Sequence, residues 1–248
     1  MKLIEAKDYH EMSKLAAEII LKQVKEKEDS VLGLATGGTV LGTYQELIHD
    51  FKKNKTSYDH IQTFNLDEYA GLKKEDPNSY HTYMKINLFD NIYIPVEQTH
   101  LPNGEASDLE EQCSAFERII EASGGIDLQL LGIGQNGHIG FNEPGSSFDS
   151  KTHVVTLAES TRKANSCYFA SNEEVPARAV TMGISTIMKS KKILLLASGT
   201  QKASIIYDLF HSEVTNAIPA TIIRKHADTT IIADQDALSK LNQAKRYA

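Results

Sequence analysis

The apolar positions of this chain fall into short continuous runs separated by stretches with helical spacing. Near the N-terminus Met12, Leu15, Ala16, Ile19 and Ile20 recur at one-, three- and four-residue intervals, with Glu11, Lys14, Glu18 and Lys22 between them. That pattern predicts an amphipathic helix and not a signal peptide. Val31–Ala35 reads as a strand and is followed by a helix over Val40–Lys53. Ile61–Leu66 is the next strand, and a helix over Asp108–Ala122 precedes the strand Ile126–Leu131. Ile193–Ala197 leads into a helix over Lys202–His211, and Ala220–Ile223 and Thr230–Ala233 close the series as strands. The strand-like runs are continuous rather than alternating, as in a sheet covered on both faces. Strand alternating with helix predicts an α/β protein with an open parallel sheet. Ligands of such sheets bind beyond the carboxyl ends of the strands, so the residues just after each run are the candidates for chemistry.

Composition narrows the class. No repeat, low-complexity tract or proline-rich linker divides the 248 residues, so a single domain over 1–248 is expected. An apolar fraction of 41% and a charged fraction of 24% are those of a soluble globular protein. The net charge of −7 weighs against nucleic acid and anionic membranes as partners, though not against an anionic small molecule held by a local group of donors. No apolar run approaches the roughly 20 residues needed to span a bilayer. Cys113 and Cys167 form no C-x-x-C pair and read as reduced packing thiols. A cytoplasmic protein is expected, with self-association left open.

The strand ends carry the chemistry. After the first run comes Thr36-Gly37-Gly38-Thr39 and then a helix. Free N–H groups and the helix dipole would favour an anion there, while the plain alternative is a strand-to-helix turn with a Thr cap. Gly37 and Gly42 have Walker A glycine spacing, but Thr43-Tyr44 stands where Lys-Ser/Thr is required. Asp67-Glu68-Tyr69 follows the second strand, and Asp67 there is a base, a metal ligand or a helix cap.

After Ile126–Leu131 the chain runs Gly132-Ile133-Gly134-Gln135-Asn136-Gly137-His138-Ile139-Gly140-Phe141-Asn142-Glu143-Pro144. Its Gly-x-Gly-x-x-Gly imitates a dinucleotide fingerprint, but that motif runs straight into a helix and this one continues to Pro144-Gly145 as a loop. An amide, an imidazole and a carboxylate, from Asn136, His138 and Glu143, suit proton transfer near neutral pH. A metal site from His138, Glu143 and Asp67 has no supporting ligand spacing. Ser198-Gly199-Thr200-Gln201-Lys202 is a second Gly/hydroxyl turn with a Lys placed for an anion, and Thr161-Arg162-Lys163 is a further basic candidate.

Together these pieces resemble the glucosamine-6-phosphate deaminase family. The matching segments are Ala35 to Thr39, Phe64-Asn65-Leu66-Asp67-Glu68-Tyr69, Asn136 to Pro144, Thr161-Arg162-Lys163-Ala164-Asn165-Ser166 and Gln201-Lys202-Ala203, in the family's order along nearly the whole chain. The resemblance implies a modified Rossmann-like fold: an open, mostly parallel sheet with helices on both faces. It implies conversion of glucosamine 6-phosphate and water to fructose 6-phosphate and ammonia, without metal or organic cofactor. It assigns ring opening to His138 with Asn136 and Glu143, and transfer of the C2 proton to Asp67. It assigns phosphate binding to Thr36, Gly37, Gly38, Thr39, Arg162 and Lys202. A movable lid over 160–181 would bring Arg162 onto the phosphate.

Two departures stand out. Some members have Asp where this chain has Asn136, so the His138 relay here rests on Glu143 as its only carboxylate. Allosteric members carry basic residues after Glu-Pro where this chain has His153 and Val155, and they have a tail beyond the position of Ala248, so weak or absent activation by N-acetylglucosamine 6-phosphate is expected. Two alternatives share the fold. A 6-phosphogluconolactonase typically ends its Gly-His loop in Ser-Leu-Phe-Pro, unlike Phe141-Asn142-Glu143-Pro144 here. A sugar-phosphate-sensing regulator would carry a DNA-binding domain, for which the acidic chain gives no sign.

Overall fold

The computed structural model describes residues 1–166, 169 and 175–247. Cys167 and part of the expected lid lie outside them. In chain order the elements are β1 (Lys2–Ala6), α1 (Tyr9–Glu26), β2 (Val31–Leu34), α2 (Gly38–Asn54), β3 (Gln62–Asn65), β4 (Asp67–Tyr69) and α3 (Tyr80–Met84), which continues through a π turn over Lys85–Phe89 into α4 (Asp90–Ile92). There follow β5 (Thr99–His100), α5 (Leu109–Ala122), β6 (Leu128–Gly132), β7 (His153–Thr156), α6 (Glu159–Asn165), β8 (Arg178–Thr181) and α7 (Ile184–Met188). The chain closes with β9 (Lys192–Ala197), α8 (Ala203–His211), β10 (Thr229–Asp234) and α9 (Ser239–Tyr247).

The helices start where local chemistry starts them. Asp8 caps α1 by accepting the Glu11 N–H at 2.9 Å, and Asp108 caps α5 by accepting the Glu111 N–H at 3.0 Å. α1 buries Met12, Ala16 and Ile20, while Leu15 and Ile19 are half-buried. Its expected apolar face is therefore the face that packs.

Seven strands form the central sheet in the order β1-β10-β9-β6-β2-β3-β5, and every pairing is parallel. Its middle is the core: Leu130, Leu131, Leu194, Leu195, Ile231 and Ile232 are almost wholly buried. The open parallel α/β sheet expected from the apolar runs is what forms. From β2 the chain winds outward through β3 to β5. It then returns to the other side of β2 with β6 and winds outward through β9 and β10. The order thus reverses between β2 and β6, and a crevice opens beyond their carboxyl ends.

A second, antiparallel sheet has the order β4-β8-β7, with Asp67 paired to Thr181 and Thr181 to His153. It begins one residue after β3 ends. Leu66 is the junction: its N–H donates to the Leu34 carbonyl at 3.1 Å, and its own carbonyl accepts the Met182 N–H at 2.6 Å. The small sheet therefore hangs from the carboxyl edge of the large one and carries Asp67 with it.

One expected strand is not a strand. Ala220–Ile223 lies in a 3-10 helix, Pro219–Lys225, with Pro219 in its first turn. The short buried run Ala220-Thr221-Ile222-Ile223 has no periodicity that separates strand from helix, and Pro219 fixes the backbone for a helical start. Among the described residues no helix is long and apolar enough to cross a membrane.

Candidate active site

A cavity of about 500 Å³ opens at the switch point, lined by the turns after β2 and β6 together with Asp67, Tyr69, Tyr80, Tyr83, Thr161 and Lys202. Its walls come from separate parts of the chain, brought together by the parallel topology.

The first wall is the turn Thr36 to Thr39. Gly37 is the N-cap of α2 with φ 99°, a left-handed conformation that glycine adopts without strain. No side chain caps this helix, so the expected alternative of a Thr cap does not apply. Its first-turn N–H groups and the positive end of the helix dipole are left for a ligand. Lys202, from the turn before α8, reaches the same cavity and donates from Nζ to the Ile133 carbonyl at 2.7 Å. Burial pulls its pKa below the ordinary lysine value, and an anion beside it would favour the charged form.

The second wall is the loop after β6. No helix follows Gly137, and the loop closes on itself instead: the Gly134 N–H donates to the His138 carbonyl at 2.9 Å and the Gly137 N–H to the Gly134 carbonyl at 3.0 Å. Asn136 ties the loop's polar groups together. Its Nδ2 donates to Glu143 Oε2 at 2.7 Å, and its Oδ1 accepts the His138 N–H at 3.2 Å. His138 Nδ1 stands 3.6 Å from Glu143 Oε2, an ion-pair distance just beyond a hydrogen bond. The structure thus brings Asn136, His138 and Glu143 into one cluster. Burial works against the Glu143 anion, but His138, Thr161 and Asn136 outweigh it and draw its pKa down to about 2. Gly134 is needed for a second reason: a Cβ there would lie 2.3 Å from His138 Cε1, inside the ring's own space. Asn142 anchors the far end, donating from Nδ2 to the Ile139 carbonyl at 2.9 Å and the Met182 carbonyl at 2.8 Å.

The third wall carries Asp67, the first residue of β4. It is not a helix cap, since it sits in a strand. Its carboxyl is buried, and burial followed by the charge of Glu68 pushes its pKa up to about 8. Tyr69, Tyr80, Phe141 and Phe169 pack beside it as an aromatic cluster, with Tyr80 and Phe141 rings nearly parallel at 6.1 Å. Glu68 is 1% exposed and accepts the N–H groups of Tyr69, Tyr80 and His81. It ties β4 to the first turn of α3.

Of the candidate residues, Thr36, Gly37, Gly38, Thr39, Asp67, Asn136, His138 and Lys202 line the cavity, and Glu143 stands behind His138 and Asn136. Arg162 does not line it: its guanidinium donates to the Val175 carbonyl, from Nε at 3.2 Å and Nη2 at 2.9 Å. On α6 Thr161 and Asn165 face the site, Thr161 one position before Arg162 and with its hydroxyl donating to Glu143 Oε1. Sequence reasoning missed Thr161 because a hydroxyl beside two basic residues carries no signal of its own. It also missed Tyr80 and Tyr83, whose i, i+3 spacing is the only trace that they share a helix face.

The profile of the family described as "Glucosamine-6-phosphate isomerases/6-phosphogluconolactonase" matches residues 5–232. A glucosamine-6-phosphate deaminase of Geobacillus sp. (strain WCH70) is 59% identical over 99% of this chain and 98% of its own length. One of Shouchella clausii (strain KSM-K16) is 56% identical over 98% of each. A solved structure described as a monomeric glucosamine-6-phosphate deaminase superposes with a TM-score of 0.96 at 50% identity, covering 97% of this chain and 100% of that one. The 6-phosphogluconolactonase of Thermotoga maritima, at 22% identity and a TM-score of 0.74 over 94% of this chain and 99% of that one, shares the fold. With this agreement along its whole length, and with the Asn136–His138–Glu143 cluster and Asp67 set around one cavity, the chain belongs to the glucosamine-6-phosphate deaminase family.

Proposed function

We infer that this protein converts glucosamine 6-phosphate and water to fructose 6-phosphate and ammonia, and that the cavity at the β2–β6 switch point is where it does so. The observation that carries the site assignment is the placing of two separate acid–base systems on one cavity beside a turn with uncapped N–H groups. The sugar ring opens first. His138 takes the anomeric hydroxyl proton and returns it to the ring oxygen, while Asn136 and Glu143 hold the imidazole in place. Glu143 stays an anion throughout, so it stabilises a protonated imidazole without itself taking the proton.

Asp67 then removes the proton from C2 of the open chain, the C2 ammonium passes a proton to the C1 oxygen to leave an enolamine, and Asp67 returns its proton to C1. The C2–N bond is now an iminium. Water adds at C2 and ammonia departs, which leaves the ketose. A buried carboxylate with a pKa of about 8 is a far stronger base than one in water, once ionised. The ammonium that the substrate carries at C2 would favour that ionised form. Positioned acid–base groups of this kind typically contribute roughly 10²–10⁴-fold each.

The phosphate is assigned to the Thr36–Thr39 turn and Lys202. Arg162 reaches it only if the 160–181 segment moves as a lid over a single domain; its guanidinium now donates to the Val175 carbonyl of the same segment. Ammonia release from glucosamine 6-phosphate by wild type, Asp67→Asn and His138→Gln tests the assignment. A folded wild type that releases none rejects the activity, and full activity in either variant rejects its assigned residue.

A further inference from the structure

The turn assigned to the phosphate is held by three tyrosines on three different helices. Tyr44, fully buried on α2, donates its hydroxyl hydrogen to the Ala35 carbonyl at 2.5 Å. Tyr83 on α3 donates to the Gly37 carbonyl at 2.9 Å. Tyr9, the first residue of α1, donates to the Gly38 carbonyl at 2.7 Å and accepts the Gly42 N–H at 2.7 Å. Three of the four carbonyls between Ala35 and Gly38 are therefore engaged by a phenol.

We propose that Tyr9, Tyr44 and Tyr83 are positioning residues for anion binding, their hydroxyls fixing the carbonyls of the Ala35–Gly38 turn so that its N–H groups are aimed at a phosphate. The reasoning is geometric. In a planar trans peptide the C=O and the following N–H point in opposite directions. Holding the carbonyls of Ala35, Gly37 and Gly38 against tyrosines thus turns the N–H groups of Thr36, Gly38 and Thr39 the other way. Several N–H groups aligned in one short turn form a concave anion site. A turn with two adjacent glycines has little intrinsic preference for one peptide orientation, so the orientation must come from outside it.

The Tyr83 arm has its own support. α3 opens a short helical stretch that runs through the π turn to Ile92, too short to be stable alone. Its first-turn N–H groups are all taken: those of Tyr80 and His81 by the Glu68 carboxylate, at 3.1 and 3.0 Å, and that of Thr82 by Ser79 Oγ at 3.0 Å. Glu68 Oε2 also takes the His81 ring Nδ1 at 2.9 Å. The strand that carries Asp67 therefore also hangs the helix that holds the Gly37 peptide, and the base and the phosphate turn share one frame.

This inference rests on the phosphate assignment above, and its test separates the two. Tyr9→Phe, Tyr83→Phe and the double variant remove only hydroxyls and leave the rings in place. KM and kcat for glucosamine 6-phosphate and the competitive inhibition constant of inorganic phosphate are measured for each. Each single variant is expected to raise KM and the phosphate constant by roughly three- to tenfold, as for loss of one modest hydrogen bond, with kcat within about twofold. The double variant should approach the product of the two. A phosphate constant unchanged in the double variant overturns the proposal, and so does a fall in kcat at constant KM. Tyr44→Phe, read beside its melting temperature, adds a check: a loss of stability with no change in the phosphate constant makes that hydroxyl structural only and removes it from the proposal. A wild type that releases no ammonia refutes the functional reading instead, and calorimetric titration of the same variants with inorganic phosphate still decides the role of the tyrosines.

Discussion

Thr161 donates its hydroxyl hydrogen to Oε1 of Glu143, while Asn136 donates to the other oxygen of the same carboxylate. One donor comes from α6 and the other from the loop after β6, so the Glu143 anion is shared between these two segments. A charge-assisted hydrogen bond of this kind contributes about 1.5–3 kcal/mol. Thr161→Val should leave the protein folded and lower kcat by roughly tenfold or more, because the anion that steadies the protonated imidazole is weakened. Thr161→Ser, which keeps the donor, should recover most of the loss. Equal activity in Thr161→Val and wild type would remove Thr161 from the mechanism.

The raised pKa of Asp67 makes two predictions about pH. The base must be ionised, so kcat/KM should climb with pH through about 8 rather than level off near the usual carboxylate range. An acid limb centred near pH 4 would contradict this placement of Asp67.

The second concerns stability. The folded state holds the Asp67 proton more tightly than the unfolded chain does. Stability from this group is therefore complete below the unfolded carboxylate pKa of about 3.9, and it is lost as pH rises through the folded value of about 8. Asp67→Asn has no proton to lose. Its melting temperature relative to wild type should rise between about pH 5 and pH 8 and level off above, whatever happens to activity. A constant difference across that range would count against the buried ionisation.

Gly134 should be intolerant of even one methyl group. A Cβ there would lie 2.3 Å from the His138 ring, which would have to swing away from Glu143. Gly134→Ala is expected to fold and to lose roughly 10²-fold in kcat, the typical cost of a misplacement of about 1 Å at a reacting group. Hydrogen exchange of the sheet core with deuterium should be unchanged. Wild-type kcat in this variant would mean that the His138 position is not the one used in catalysis.

Lys202 should act on the phosphate and not on proton transfer. Its Nζ is held by the Ile133 carbonyl and its charge is disfavoured by burial. Lys202→Met should raise KM for glucosamine 6-phosphate by about tenfold or more while changing kcat less, since one charged contact to the anion is lost. Lys202→Arg should recover little, because a planar guanidinium does not fit a pocket shaped for a point charge. A fall in kcat with KM unchanged would place Lys202 elsewhere in the mechanism.

The large sheet was legible because its strands are buried on both faces. Val31–Leu34, Leu128–Gly132 and Lys192–Ala197 fall within one or two residues of the apolar runs that announced them. The small sheet was not legible. β4 has three residues and β7 has no buried position, and their pairing depends on β8, more than a hundred residues from β4. The strand expected at Ala220–Ile223 failed for the related reason that so short a buried run fits either conformation. In the site, Asn136, His138 and Glu143 were legible because they stand within eight residues on one loop. Arg162 and Thr161 were told apart only by the orientation of α6, which turns the hydroxyl to Glu143 and the guanidinium to Val175.

By itself the sequence determined the class of fold, the strand ends at which chemistry would gather, and the residue types able to move protons and hold an anion. Apolar period, glycine position and short-range spacing are local properties, and they are written in the order of the residues. Which of those groups meet, and with what charge, was decided by the tertiary structure. Reversal of strand order between β2 and β6 puts the Thr36–Thr39 turn beside the His138 loop, and the small sheet buries Asp67 against Glu68 and aromatic rings. Burial and the distance between charges set a pKa and a hydrogen bond, and neither exists until segments far apart in the chain are packed together.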